Sequence, residues 1–299
     1  GHCPFTAVTG VRTPLGTPNI RLSIRQPFLC LRFYNIAYSL METVVLAYEE
    51  LGEENPIPLI ILHGFFASSR NWRKIAERLS REFHVYVLDM RNHGLSPHHA
   101  TMDYPAMTAD VLRFMDERQL ANAHILGHSM GGKIAMWLAL NHPGRLGKLL
   151  VVDIAPKSYT HSFDKTIQAL IDVPLNEIHN RKQAENLLAE RIPELDYRQF
   201  LLQNLVLKEG SYHWRVNLDI FMQTAPNIIA FPLTQGLSPY LGKAIFIAGA
   251  DSAYVTLEDT LHLFPNAVFK AIANAGHWLH VQQPEVFAER VENFLQKGS

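Results

Sequence analysis

From residue 44 onward the chain alternates short apolar runs with longer stretches of helical period. The runs at 44–48, 59–62, 85–88, 124–126, 149–154, 244–248 and 267–272 are too short for helices and too apolar for loops, so they predict strands. Between them, 72–79, 105–120, 133–140 and 284–295 space their apolar residues as helices do. Strands without a polar face, separated by helices, belong to a mostly parallel sheet covered on both sides. The expected class is therefore α/β, with a mostly parallel central sheet flanked by helices.

The alternation breaks once. Over 156–242 no buried strand is evident, polar residues dominate, and Pro174, Pro193, Pro226 and Pro232 punctuate the segment. A helical insertion of this length reads as a cap over one end of the sheet, leaving 41–155 and 243–299 as the core. Residues 1–40 differ again, with Arg12, Arg21, Arg25 and Arg32, four prolines and no acid. We read them as a leader, tag or read-through segment outside the core, with Met41 as the natural start; a transit segment is the alternative. The expected compartment is accordingly the cytoplasm, or an organelle in the second case.

Composition removes several classes of function. A net charge of −1 and a sequence pI near 7.0 give no basic footprint for nucleic acid. No run approaches the roughly 18 apolar residues of a membrane span. The two cysteines, Cys3 and Cys30, supply neither a disulfide framework nor a nucleophile to the main domain. No metal-binding spacing and no dinucleotide fingerprint occur, so neither a metal nor a cofactor is expected. Oligomeric state is left open.

The chemistry concentrates in three segments. Gly127-His128-Ser129-Met130-Gly131 lies between an expected strand and an expected helix. Small residues flank a serine there because the chain turns sharply, leaving the hydroxyl exposed as a nucleophile. Asn274-Ala275-Gly276-His277-Trp278 follows the last strand and supplies a general base, His277, from the carboxyl end of the sheet. His63-Gly64-Phe65-Phe66 follows the strand at 59–62, where backbone amides of Phe65 and Met130 would form an oxyanion hole. His63, His128, Trp214, Phe221 and Met222 are candidates for the substrate pocket. His280 is read as structural or pocket-lining.

The acid that orients the histidine has three candidates. After the strand at 244–248, Ser252 rather than Asp251 takes the position where a carboxylate would stand. Asp153 ends an otherwise apolar strand, a costly place for an acid without a partner. We prefer Asp153, with Ser252 as a helper hydrogen bond to the histidine, and keep Asp251 and Asp219 as alternatives. The Asp89–Ser96 segment is assigned to shaping a loop.

The motifs HGFFASSRNW (63–72), DMRNHGLSP (89–97), GHSMGGK (127–133), VVDIAP (151–156), WRVNLD (214–219) and NAGHWLHVQQP (274–284) resemble the YbfF-type esterase branch of the α/β hydrolases. The resemblance runs from about residue 41 to the C-terminus. It implies an α/β-hydrolase fold, a helical cap and hydrolysis of small-molecule esters with short to medium acyl chains. It also favours Asp153 and Ser252 over Asp251, although Asp251 stands where relatives often carry asparagine. A thioesterase or carbon–carbon bond hydrolase of the same fold is an alternative, and a non-enzymatic ligand sensor is one of another class. Epoxide hydrolases and dehalogenases are disfavoured because they need Asp where this chain has Ser129.

Overall fold

A computed structural model of the chain describes residues 42–296; the expectations for 1–40, and the compartment that depends on them, lie outside the described residues. The core begins with β1 (Tyr48–Leu51), β2 (Pro58–Leu62), α1 (Arg73–Leu79), β3 (His84–Leu88), α2 (Tyr104–Glu117), β4 (Ala123–His128), α3 (Met130–Asn141) and β5 (Leu146–Val152). The inserted segment carries α4 (Asp164–Ile171), α5 (Arg181–Leu188), α6 (Leu195–Leu201), β6 (Leu205–Lys208), β7 (Ser211–Trp214) and α7 (Leu218–Ile229). The core resumes with β8 (Ala244–Gly249), α8 (Leu257–Leu261), β9 (Val268–Ile272), α9 (Leu279–Gln282) and α10 (Pro284–Gln296).

Seven strands form one sheet in the order β1-β3-β2-β4-β5-β8-β9. Only β1 is antiparallel; every other pairing is parallel. Successive side chains on a strand point to opposite faces, so the apolar runs divide into two cores. Ile60, Leu62, Ile125, Leu149, Val151 and Phe246 join one core, which includes Met107 and Val111 of α2 and Ile134 and Leu138 of α3. Leu59, Ile61, Val85, Val87, Leu126, Leu150, Val152, Ile245 and Ile247 join the other, with Ile75 of α1 and Phe287 and Val291 of α10. The absence of a polar face in the sequence thus has a direct cause: both faces are covered.

Three details differ from expectation. The first strand begins at Tyr48 rather than 44, because the amides of Val44 and Ala47 bond to the side chains of Asp110 and Ser96 instead of a ladder. The fifth runs from Leu146 and stops at Val152, where Asp153 turns out of the strand with φ of 48°. The inserted segment contains a two-stranded antiparallel ribbon, β6–β7, whose outer residues such as Leu207 are exposed, and Pro226 lies inside α7 rather than ending it. Among the described residues no helix is long and apolar enough to cross a membrane.

The chain leaves β2 toward β3 on one side, whereas β4 and β5 extend the sheet on the other. In open α/β sheets such a reversal leaves a crevice at the carboxyl ends of the strands, the usual place for a ligand. The turns after β2 and β4 meet there.

Candidate active site

Ser129 sits between β4 and α3 with φ 52° and ψ −116°, a conformation that L-residues adopt only under constraint. The glycines around it are there for space. A Cβ on Gly127 would lie 2.2 Å from the Gly131 carbonyl oxygen, and one on Gly131 would lie 2.2 Å from that of Leu62. Backbone therefore packs on backbone, and the serine is driven out at the tip of the turn. Its amide is tied to the Val152 carbonyl at 3.1 Å, which fixes the turn against β5.

His277 reaches this serine from the loop after β9. Its Nδ1–H donates to Oδ2 of Asp153 at 2.7 Å, leaving Nε2 to accept the Ser129 hydroxyl at 3.1 Å. Asp153 is fully buried and has two further donors, the Gly249 amide at 3.0 Å and the Ser252 hydroxyl at 2.6 Å. Three charge-assisted bonds compensate a carboxylate that would otherwise be costly there. Ser252 was expected to bond the histidine; it bonds the carboxylate instead, and so holds the acid rather than the base. Asp251 is exposed and Asp219 lies exposed on the first turn of α7; neither is brought to the imidazole. The Tyr254 ring stacks on His277 at 4.2 Å.

The turn after β2 is held by two buried histidines. His63 donates from Nδ1 to the Gly64 carbonyl at 2.8 Å and accepts the Met90 amide on Nε2 at 3.0 Å. His93 donates from Nδ1 to the Arg91 carbonyl and accepts the Phe66 amide on Nε2 at 3.3 Å. Burial holds both pKa values below the ordinary histidine range, so each ring keeps one donor and one acceptor. Anchoring the Gly64 carbonyl turns the other end of that peptide, the Phe65 amide, away from His63. Met130 opens α3, where an amide has no helical acceptor. Neither amide donates to another described residue. A Cβ on Gly64 would lie 3.3 Å from that of Ser129, so glycine permits the approach of the two turns.

Ser129 and His277 open into a cavity of about 610 Å³. From the core it is lined by Phe65, Phe66, Trp72, His128, Met130, Ile154 and Trp278, and from the insertion by Tyr159, His161, Phe163, Tyr197, Phe200, Ile228 and Ile229. Of the five candidate pocket residues only His128 is on the wall, and its Nε2–H donates to the His277 carbonyl at 2.8 Å; His280, read as structural or pocket-lining, is there too. His63 is fully buried and does not line the cavity. Phe221 is completely buried behind Phe65, with ring centres 4.5 Å apart, and Met222 packs against the core. Trp214 donates from Nε1 to the Leu170 carbonyl and does not reach the cavity. The residues missed left a faint signal: Tyr197 and Phe200 are three apart on α6, and Trp278 adjoins His277. The Asp89 loop is structural as expected, its carboxylate accepting the amides of Ser69 and Leu95 at 2.7 and 2.8 Å.

Residues 57–284 match the family model described as "alpha/beta hydrolase fold". The chain is 39% identical over 252 residues to the sn-1-specific diacylglycerol lipase ABHD11 of Xenopus laevis, an alignment covering 81% of this chain and 80% of that protein. It is 33% identical to the esterase YbfF of Escherichia coli (strain K12), over 85% of this chain and 99% of the relative. A solved structure of a marine microorganism esterase superposes with a TM-score of 0.80 at 39% identity, covering 84% of this chain and all of that one. By its sequence match, its sheet and its strand–serine–helix turn, the chain belongs to the α/β-hydrolase fold family, in the branch that holds the YbfF esterase.

Proposed function

We propose that the protein hydrolyses carboxylic esters through an acyl-enzyme, with Ser129 as nucleophile, His277 as general base and Asp153 as its orienting acid. The observation that carries this reading is the hydrogen-bonded line from Asp153 through His277 to Ser129, with its hydroxyl at the base of a mostly apolar cavity. In the first half-reaction His277 Nε2 takes the Ser129 proton as Oγ bonds to the ester carbonyl carbon. The amides of Phe65 and Met130 receive the developing oxyanion, each such donor contributing about 2.7–4 kcal/mol in comparable sites. The tetrahedral adduct collapses, the bond to the alcohol oxygen breaks, and His277 returns the proton to that oxygen. Water repeats the sequence on the acyl-enzyme: His277 takes its proton, the acid leaves, and Ser129 regains its hydrogen.

In this reading Asp153 holds the imidazole with its proton on Nδ1 and stabilises the imidazolium, while Ser252 and the Gly249 amide hold Asp153. The insertion 156–242 serves as the cap, and its Tyr159, Phe163, Ile228 and Ile229 give the acyl chain an apolar wall. Short to medium acyl chains suit a cavity closed by such bulky side chains. The names of the relatives, an esterase and a diacylglycerol lipase, support an ester as the substrate class. The test is turnover of a p-nitrophenyl ester series from acetate to dodecanoate by the folded protein. We expect saturable hydrolysis with a preference among the shorter members; no hydrolysis of any member would overturn the proposal.

A further inference from the structure

Lys133 stands one turn after Ser129 on α3, its amide closing that turn on the Ser129 carbonyl at 3.1 Å. Its side chain is only 1% exposed, and no carboxylate among the described residues pairs with it. Nζ instead donates to the carbonyls of Ile229 at 2.8 Å and Ala230 at 2.7 Å, with that of Ile228 at 3.4 Å. These close α7, where carbonyls lack helical partners and the helix dipole is negative. The Tyr104 hydroxyl donates to the same Ile228 carbonyl at 2.5 Å. The rings of Tyr159 and Tyr104 lie 4.7 and 5.6 Å from the ammonium. A buried lysine is a poor filler of apolar space, since burying its charge is expensive. Its contacts do something packing cannot: they bind the nucleophile helix to the end of the last cap helix, whose Ile228 and Ile229 line the cavity.

We propose that Lys133 is a positioning residue that registers the cap on the nucleophile helix, setting the depth of the Ile228–Ile229 wall behind Ser129 and so limiting acyl-chain length. The docking stands on geometry alone; the chain-length consequence rests on the ester reading. The groups that face Nζ are the phenols of Tyr104 and Tyr159 on opposite elements and the imidazole of His161. Burial, and then the charge of Lys133, lowers the pKa of that imidazole. Burial draws Lys133 itself down to about 7. As pH rises through that value Nζ keeps two donors for three carbonyls and loses the charge that faces the helix end.

The experiment compares wild type, Lys133→Met and Tyr104→Phe on the ester series, with hydrogen exchange of α7 measured on the same samples. In Lys133→Met the ratio of kcat/KM for decanoate over butanoate should rise about tenfold, the size expected for a lost hydrogen bond to a charged group. Tyr104→Phe should move it the same way by less. In wild type the ratio should rise with pH across about 7 and in Lys133→Met it should not. A folded Lys133→Met variant whose ratio and pH dependence match wild type would overturn the proposal. If that variant does not fold, a wild-type ratio that is flat in pH and unmoved by Tyr104→Phe overturns it equally. Should wild type hydrolyse no ester, the ester reading alone fails. The docking is then judged by exchange in α7, which at fixed pH must quicken in Lys133→Met or, if that variant does not fold, must lose protection relative to the intrinsic rate in wild type as pH rises through about 7.

Discussion

The carboxylate of Asp153 is the group whose loss the geometry prices most sharply, and Asp153→Asn removes it without changing its size. The native side chain accepts three donors: the Gly249 amide, the Ser252 hydroxyl and His277 Nδ1–H, at 3.0, 2.6 and 2.7 Å. An asparagine has one acceptor oxygen and must point its NH2 at one side of this cluster. With the oxygen kept toward His277, the NH2 faces the Gly249 amide, donor against donor. With the amide reversed, the NH2 meets Nδ1 and drives the imidazole proton to Nε2, where it can no longer accept from Ser129. Either way the imidazolium of the transition state loses its counter-charge. The same change in a serine–histidine–aspartate triad lowers kcat by about 10⁴, or about 5.4 kcal/mol at 1.36 kcal/mol per tenfold. The assay is kcat for p-nitrophenyl butanoate, with thermal melts to show that the variants are folded. Asp251→Asn is the control and should stay within about twofold of wild type, as surface substitutions away from a site do. A steep loss in Asp251→Asn with Asp153→Asn near wild type would refute the reasoning.

Ser252→Ala leaves Asp153 two of its three donors. It should lower kcat about 10- to 100-fold with little change in KM, as expected for one hydrogen bond to a charged group; a pure KM effect would mean that Ser252 touches substrate. Trp214→Ala should destabilise the fold yet leave chain-length preference unchanged, because the indole bonds Leu170 and not the cavity. Phe163→Ala should extend the preference to longer chains, and the reverse pattern would misplace the acyl wall. Acid should unfold the protein early, since His63, His93, His128 and His280 are buried with lowered pKa values, that of His280 at about 3. The unfolded chain takes up these protons as pH falls through about 6.5 while the folded chain does not. Stability should therefore drop below that pH by about 1.4 kcal/mol per unit for each group until its folded pKa is reached. Urea unfolding that is flat from neutral pH downward would contradict it.

What the sequence made legible follows from burial. Strands β2, β4 and β5 lie between two helical layers, so their apolar runs stand out, and the turn at Ser129 is marked because glycine alone fits there. Asp153 was readable for the opposite reason, an acid where only apolar residues belong. The cavity-lining residues of the 156–242 insertion were not. Phe221 and Ile228 are seven apart on α7 and share its core-facing stripe, yet only Ile228 lines the cavity; periodicity gives the face of a helix and not the depth at which each residue on it packs. The partner of Ser252 depended on a side-chain direction within a loop, which no periodicity records. The ribbon β6–β7 was not legible because its one apolar run, Leu205–Leu207, is only three residues long and its partner β7 is the mostly polar Ser211–Trp214.

The most direct test of the account is the mass spectrum of the protein quenched during turnover of p-nitrophenyl butanoate. The account predicts one butanoyl group per chain, located on the peptide that contains Ser129, and no adduct or turnover in Ser129→Ala. Turnover that survives in Ser129→Ala, or an acyl group on any other residue, would contradict it.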